Sequence, residues 1–264
     1  MSKDLGLKGL TRYIKENKST FAVYIVLRLV VIAILIIQIL QGNFQSAFIC
    51  ALSLVLFLVP AFCERTFKLE LPSVLEIIIL LFIFSAEILG EIGAYYVKVP
   101  HWDTMLHTIN GFLCAAIGFA LVDILNRNER IKFTLSPLFV SIVAFCFSMT
   151  IGVLWEFFEF GSDMLLKTDM QKDTVINSLA SIAFDPTRTN KTIRMEDIHN
   201  ITINGRLYEL GGYVDIGLID TMKDLIVNFI GAVVFSIIGF FYIKNRGKGR
   251  FAKKFIPKVR EAEL

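Results

Sequence analysis

The chain alternates between long apolar runs and short polar joints. Six runs are Thr20–Leu40, Phe44–Phe62, Pro72–Tyr95, Thr104–Asn126, Ser136–Phe158 and Ile219–Ile243. Each reaches the roughly 20 residues that a helix needs to cross a hydrocarbon core of about 30 Å. In lipid only internal hydrogen bonds satisfy a backbone, so each run is predicted to be a helix. One long polar stretch, about residues 160–218, separates the fifth run from the sixth. It predicts a helical extension to about Leu166, a polar linker and a hairpin. The hairpin arms are Asn200-Ile201-Thr202-Ile203 and Arg206-Leu207-Tyr208-Glu209-Leu210, joined by Asn204-Gly205. Asn-Gly suits the type I′ turn of a two-residue hairpin. The expected fold class is all-α: a polytopic transmembrane helix bundle of about six spans, with a small extracytoplasmic loop containing a β-hairpin. The expected organisation is a basic N-terminus at 1–19, a membrane domain at 20–243 and a basic tail at 244–264.

Composition narrows the class. Of 264 residues, 55% are hydrophobic and 19% charged, and the mean hydropathy is +0.64. Soluble domains carry about 45–50% apolar and about 25% charged residues. A water-soluble enzyme, a disordered chain and a secreted disulfide scaffold are excluded. Cys50, Cys63, Cys114 and Cys146 all lie in apolar runs with no Cys-x-x-Cys spacing, and read as small buried hydrophobes. The first apolar run is too long for a signal h-region and lacks a small-residue cleavage site, so no cleavable signal is expected.

Charge orients the spans. Lys3, Lys8, Arg12, Lys15 and Lys18 precede the first run, and Gln41-Gly42-Asn43 after it is uncharged. Arg65 and Lys68 follow the second run, Lys98 alone the third, and Arg127, Arg130 and Lys132 the fourth. The tail carries Lys244, Arg246, Lys248, Arg250, Lys253, Lys254, Lys258 and Arg260. This alternation predicts a bacterial inner-membrane protein with both termini cytoplasmic. Tyr95, Tyr96, Trp102 and Trp155 then fall at the outer interface. Membrane lipid is the expected partner, and the basic tail suits anionic head groups. From Glu156 to Asp224 there are twelve acids and seven bases, so no nucleic-acid partner is expected there. The pattern sets no oligomeric state.

Ionisable groups inside spans are costly and are functional candidates by default. Here they gather at the outer ends of four helices. The third run ends with Glu87 and Glu91. The fourth begins with Asp103, His107 and Asn110. The fifth ends with Glu156, Glu159 and Asp163, and the sixth begins with Asp220, Asp224 and Asn228. Within each set the spacing puts the residues on one helix face. Four polar faces at one depth predict a shared acidic pocket, open to the outside. Carboxylates so close together either hold protons or attract cations. The pattern fixes no cofactor: a divalent metal ion is one candidate, with Asp103, His107, Glu156, Glu159, Asp220 and Asp224 as candidate ligands, and metal-free acid/base work by a carboxylate pair is the other. His107, Glu156 and Asp224 are the candidate acid/base groups, supported by Glu87, Glu91, Asn110, Asp163 and Asn228. Structural roles compete with these. Asp103 and Asp220 suit interfacial N-caps, Glu159 and Asp163 suit a solvated surface, and His107 suits a buried hydrogen bond. Arg28 either snorkels or pairs with Glu76. His101 and His199 read as surface residues. Gly111, Gly118, Gly152, Gly231 and Gly239 read as close-packing positions between helices.

Three motifs carry a family resemblance: Trp102-Asp103-x-x-Leu106-His107-x-x-x-Gly111, Leu154-Trp155-Glu156-x-x-Glu159, and Asp220-x-x-x-Asp224-x-x-x-Asn228-x-x-Gly231-Ala232. Their order resembles the YjdF type of uncharacterised bacterial inner-membrane proteins and, more distantly, VanZ-like membrane proteins. The resemblance runs from about Glu87 to Ala232. It implies that the motifs form one site, with an envelope-related role, and it brings no settled activity. Three functions fit the pattern. One is a metal-dependent hydrolase acting on a lipid or envelope precursor. The others are a cation- or proton-coupled transporter and a non-catalytic scaffold or sensor. A transporter calls for polar groups across the whole bilayer, whereas the inner halves carry only Arg28, Glu76 and Asp123.

Overall fold

Each apolar run is a helix in the structure, a computed structural model that describes residues 18–67, 69–126, 135–245, 252–256 and 258–259. Among the described residues, six helices are long and apolar enough to cross a membrane: Lys18–Leu40, Phe44–Thr66, Ser73–Ile92, Trp102–Asp123, Pro137–Leu165 and Leu218–Lys244. The protein is an integral membrane protein of helical class. Of the orienting charges, Lys3, Lys8, Arg12, Lys15, Lys68, Arg127, Arg130, Lys132, Arg246, Lys248, Arg250 and Arg260 lie outside the described residues.

Helix α1 (Lys18–Leu40) ends at Gly42, whose φ of 73° only glycine adopts freely. Asn43 then caps α2 (Phe44–Leu56), accepting from the Ser46 amide at 3.1 Å. The second span is interrupted before α3 (Val59–Phe67). Pro60 is the cause: its ring opposes the carbonyl four residues earlier and it has no N–H to donate. The third span changes winding partway. Helix α4 (Ser73–Ile83) passes into a π-helix, Phe84–Ile92. The sequence reading carried this helix to Tyr95, but it ends at Ile92. Gly93 and Ala94 turn the chain, Ala94 with φ 58°, and a short α5 (Tyr95–Lys98) follows. Helices α6 (Trp102–Asn126), α7 (Pro137–Leu166) and α8 (Leu218–Lys244) complete the spans. The indole of Trp102 donates to the Ser85 carbonyl in the π-helix at 3.3 Å.

The chain divides into two compact units. The first comprises Met1–Gly152 and Val227–Leu264. Its main core joins Leu75, Phe119, Val140, Ala144, Ala232 and Phe235, and a second cluster forms around Val31, Cys50, Phe57 and Leu80. The predicted glycine seams are present. A Cβ on Gly111 would overlap the Asn228 carbonyl, and one on Gly231 would overlap the Thr108 carbonyl, so α6 and α8 touch backbone to backbone. Gly118 packs on Phe147, and Gly239 on Phe119. Arg28 lies over the Tyr24 ring, 4.4 Å from its centroid. At the basic end, strand β1 (Leu69–Glu70) pairs antiparallel with β8 (Lys258–Val259). Phe255 and Ile256 are buried in the main core, and Phe255 meets Phe112 edge-to-face at 5.1 Å. The tail is therefore not one solvated basic stretch, because its apolar pair docks into the bundle.

The second unit is Val153–Ile226. It holds the end of α7, the start of α8 and the polar stretch between them. Strands β5 (Ile201–Ile203) and β6 (Arg206–Tyr208) form the predicted hairpin, with φ of 52° and 80° at Asn204 and Gly205. Both positive values are what a type I′ turn requires. The linker contains two further ladders: β2 (Val175–Ile176) with β7 (Tyr213–Val214), and β3 (Leu179–Ser181) with β4 (Ile193–Met195). Strands of two or three residues leave too little alternation to be read from sequence.

Candidate functional site

In the first unit, the candidate residues lie on α6, on the π-helix and on the part of α8 from Val227 onward. The N-terminal end of α6 carries Asp103 and His107 one turn apart. The His107 Nε2 is 3.5 Å from Asp103 Oδ1, with side-chain exposures of 10% and 29%. This is an acidic/His pair in which the carboxylate can orient the imidazole. One turn deeper, Asn110 donates to Asn228 Oδ1 at 3.2 Å. Asn228 is 1% exposed, and its amide also reaches the Met149 sulfur at 3.6 Å. Its side chain fits because Gly152 on α7 has no Cβ to meet it. Ser148 donates to the Gly111 carbonyl at 2.7 Å, tying α7 to α6 at the same level. A buried amide must be hydrogen-bonded to be tolerated, and Gly152 clears the space for this one. On the π-helix, Glu87 is half-buried and Glu91 exposed. A π-turn commonly marks a functional position.

In the second unit, Glu156, Glu159 and Asp224 are buried, at 5%, 8% and 3% exposure. Glu159 accepts from the Trp155 indole at 2.7 Å. Asp224 lies one turn before Asn228 on the unbroken helix α8. Asp163 and Asp220 hold the loop onto the helix ends. Asp163 accepts from the Thr168 hydroxyl and from the amides of Met170 and Gln171, at 2.8, 2.7 and 2.9 Å. Asp220 accepts from the Lys172 amide at 2.7 Å, and Gln171 donates to Thr221 at 2.5 Å. Both carboxylates accept from amides of the polar stretch rather than from amides of a helix N-terminus.

Asp215 belongs to the same fastening and was not singled out from the sequence. It accepts from the amides of Thr174 and Ile219, each at 2.8 Å. Burial pushes its pKa up, but the N–H groups of Thr174, Ile219 and Gly217 outweigh that and hold it below the ordinary aspartate value. Asp173 shifts the other way, raised by desolvation and by the charges of Asp169, Asp215 and Asp163. The only sequence signal for Asp215 was its place three residues before the start of α8, where acids favour a helix N-terminus. Ser148 and Met149 were also missed, since neither is ionisable.

Similarity to known proteins agrees with this architecture. A 126-residue stretch is 24% identical to an "Uncharacterized protein" of Thermotoga maritima, covering 48% of this chain and 63% of that protein. No solved structure matches the chain. The YjdF-type and VanZ-like resemblance has no counterpart in these matches. Residues 23–245 match the family described as "Predicted membrane protein (DUF2238)", and a match over most of the spans places this chain in that family.

Proposed function

We propose that the chain is a bacterial inner-membrane protein with both termini cytoplasmic, whose outward-facing acidic/His site binds a divalent cation and serves hydrolysis of a lipid or envelope precursor. One observation carries the reading. Asp103 and His107 lie one turn apart on α6, with His107 Nε2 3.5 Å from Asp103 Oδ1. A carboxylate and an imidazole are donors that suit a hard or borderline divalent ion. Metal ions in such sites polarise a phosphoryl or acyl oxygen and bring the pKa of bound water toward about 7. Glu156, buried on α7, is then the candidate proton acceptor, and Glu159, held by Trp155, a further acid near it in sequence.

The transporter alternative needs a polar route onward through the bundle. Deeper than Asn228, the core between the helices is filled by Ala115, Ala116, Phe119, Ala232 and Phe235, all fully buried. That packing supports a site reached from one side.

Thermal unfolding in mild detergent tests the cation. A ligand at 100 times its Kd that binds only the folded state adds about 2.7 kcal/mol, which raises Tm by roughly 5–10 °C at this chain length. Wild type is expected to show that rise with at least one of Mg2+, Mn2+, Ca2+ or Zn2+. Asp224→Asn is expected to lose it while folding normally. Absence of any metal-dependent shift in wild type overturns the reading.

A further inference from the structure

A separate feature lies on the other half of the bundle, in the first unit. Helices α7 and α8 leave a groove of about 530 Å³ between them. Leu138, Ile142 and Phe145 line one side, and Phe229, Val233 and Phe241 the other. Ser141 also faces this region, but its hydroxyl donates to the Pro137 carbonyl at 2.9 Å. Ser236 lines it too, its Oγ without a hydrogen-bond partner among the described residues but buried, so the accessible walls offer hydrocarbon contact alone. From Phe229 to Phe241 the groove follows α8 for roughly 18 Å at 1.5 Å per residue. That is close to half of a hydrocarbon core about 30 Å thick, the depth of one leaflet. A polar substrate gains nothing from such walls, whereas one acyl chain matches both their length and their chemistry.

Charge at the groove's end selects the lipid. Phe240 lines the groove, and the Lys244 ammonium lies 5.7 Å from the centre of its ring. Lys244 is exposed, as are Lys253 and Lys254. In the sequence, Arg246, Lys248 and Arg250 follow Lys244 directly. An acyl chain lying in the groove brings its phosphate to this basic end, where each Lys or Arg contributes about 1 kcal/mol toward an anionic surface. We propose that the groove between α7 and α8 holds one acyl chain of an anionic phospholipid, with its head group at Lys244. The inference rests on residues apart from the acidic/His site and stands independently of it.

Native mass spectrometry of the full chain in mild detergent provides the test. Dioleoyl phosphatidylglycerol and dioleoyl phosphatidylethanolamine are titrated separately, so that only the head group differs. Wild type is expected to retain one phosphatidylglycerol about five-fold more tightly than phosphatidylethanolamine, the worth of one charge. Lys244→Gln is expected to bring the two lipids close to equal. Ile142→Trp and Leu138→Trp each place an indole in the groove. These positions are 50% and 59% exposed, so the added bulk fills the open groove without displacing buried neighbours and the fold is expected to persist. Each is expected to lower retention of the tight lipid while leaving the circular dichroism spectrum unchanged. Equal binding of the two lipids by wild type overturns the proposal. So does unchanged retention in both tryptophan variants, which would mean surrounding lipid only. A dimer that disappears in these variants also overturns it, since the groove would then hold a helix of a second copy.

Discussion

Replacing Gly231 with alanine is expected to destabilise the bundle, although alanine is the better helix former. A methyl group at 231 overlaps the Thr108 carbonyl oxygen and stands 2.9 Å from the Phe112 nitrogen. Both obstacles are backbone atoms of α6, so no rotamer change makes room and the two helices must part. Carbon–oxygen contacts settle at about 3.3–3.6 Å, which sets the separation at roughly 1 Å. A gap of that size forfeits about a quarter to a half of the dispersion energy of each atom pair, itself about 0.1–0.2 kcal/mol. Over roughly 20–30 pairs along the seam the loss is about 1–2 kcal/mol. The Asn110–Asn228 hydrogen bond crosses the same seam, and stretching it adds about 0.6 kcal/mol, a typical value between membrane helices. Helix propensity returns about 1 kcal/mol. The net is a loss of about 1 kcal/mol, at the low end of the overpacking range. Gly161 supplies the opposite case on α7, because nothing lies within 4 Å of a Cβ built there. Gly161→Ala is expected to gain up to about 1 kcal/mol from propensity alone. The two glycine-to-alanine changes should therefore differ by about 2 kcal/mol. Reversible unfolding in mixed micelles with increasing dodecyl sulfate, followed by circular dichroism, measures both. Gly231→Ala matching or exceeding Gly161→Ala in stability would refute the backbone-contact account.

Two further outcomes are expected. The Thr187 hydroxyl at 2.5 Å and, against some desolvation, the amides of Thr187, Lys191 and Thr189 lower the Asp185 pKa to about 2. Its contribution is therefore complete above the unfolded value of about 3.9 and is lost as pH falls through the folded value. Amide exchange at Thr187, Thr189 and Lys191 should stay slow at pH 4 and quicken toward pH 2; fast exchange already at pH 4 would sink this account. For the orientation, a background lacking Cys50, Cys63, Cys114 and Cys146 is combined with Asn204→Cys or Lys254→Cys. An impermeant thiol reagent should label the first in intact cells and not the second, and the reverse pattern would invert the proposed topology.

The spans were legible because lipid leaves the backbone one choice and demands about twenty apolar residues for it. Asn204-Gly205 was legible because both residues tolerate positive φ. Where the reading stopped short, a local signal was missing. The break at Phe57–Leu58 hangs on Pro60 alone inside an otherwise continuous apolar run. The end of the third span at Ile92 depends on Ala94 taking a left-handed conformation, which no alanine advertises. The docking of Phe255 and Ile256 joins residues more than 140 positions from Phe112, beyond the reach of periodicity. For the candidate site, the faces of α6 and α8 followed from i, i+4 spacing, and the glycine seam followed from small residues recurring on those faces. Which acids fasten the loop did not follow. Asp163, Asp215 and Asp220 accept from amides of a loop that has no sequence period.

Asn228 links the fold to the candidate chemistry. Its side chain is held from two directions, by Asn110 on α6 and by Met149 on α7. Its own carbonyl fills the space that a Cβ on Gly111 would need. These contacts fix the rotation of α8 about its axis at that level. Helix α8 is unbroken from Leu218 to Lys244, so the rotation set at Asn228 also governs the face on which Asp224 lies, one turn earlier. On α6 the same register carries His107 four residues before Gly111. The glycines and the buried amide therefore do more than let helices approach. They set the rotation of α6 and α8 about their own axes at that level. A polar residue buried for packing alone would be replaceable by an apolar one of similar volume. Here leucine at 228 would remove the amide that both neighbouring helices use to register α8, and the seam at that level would loosen.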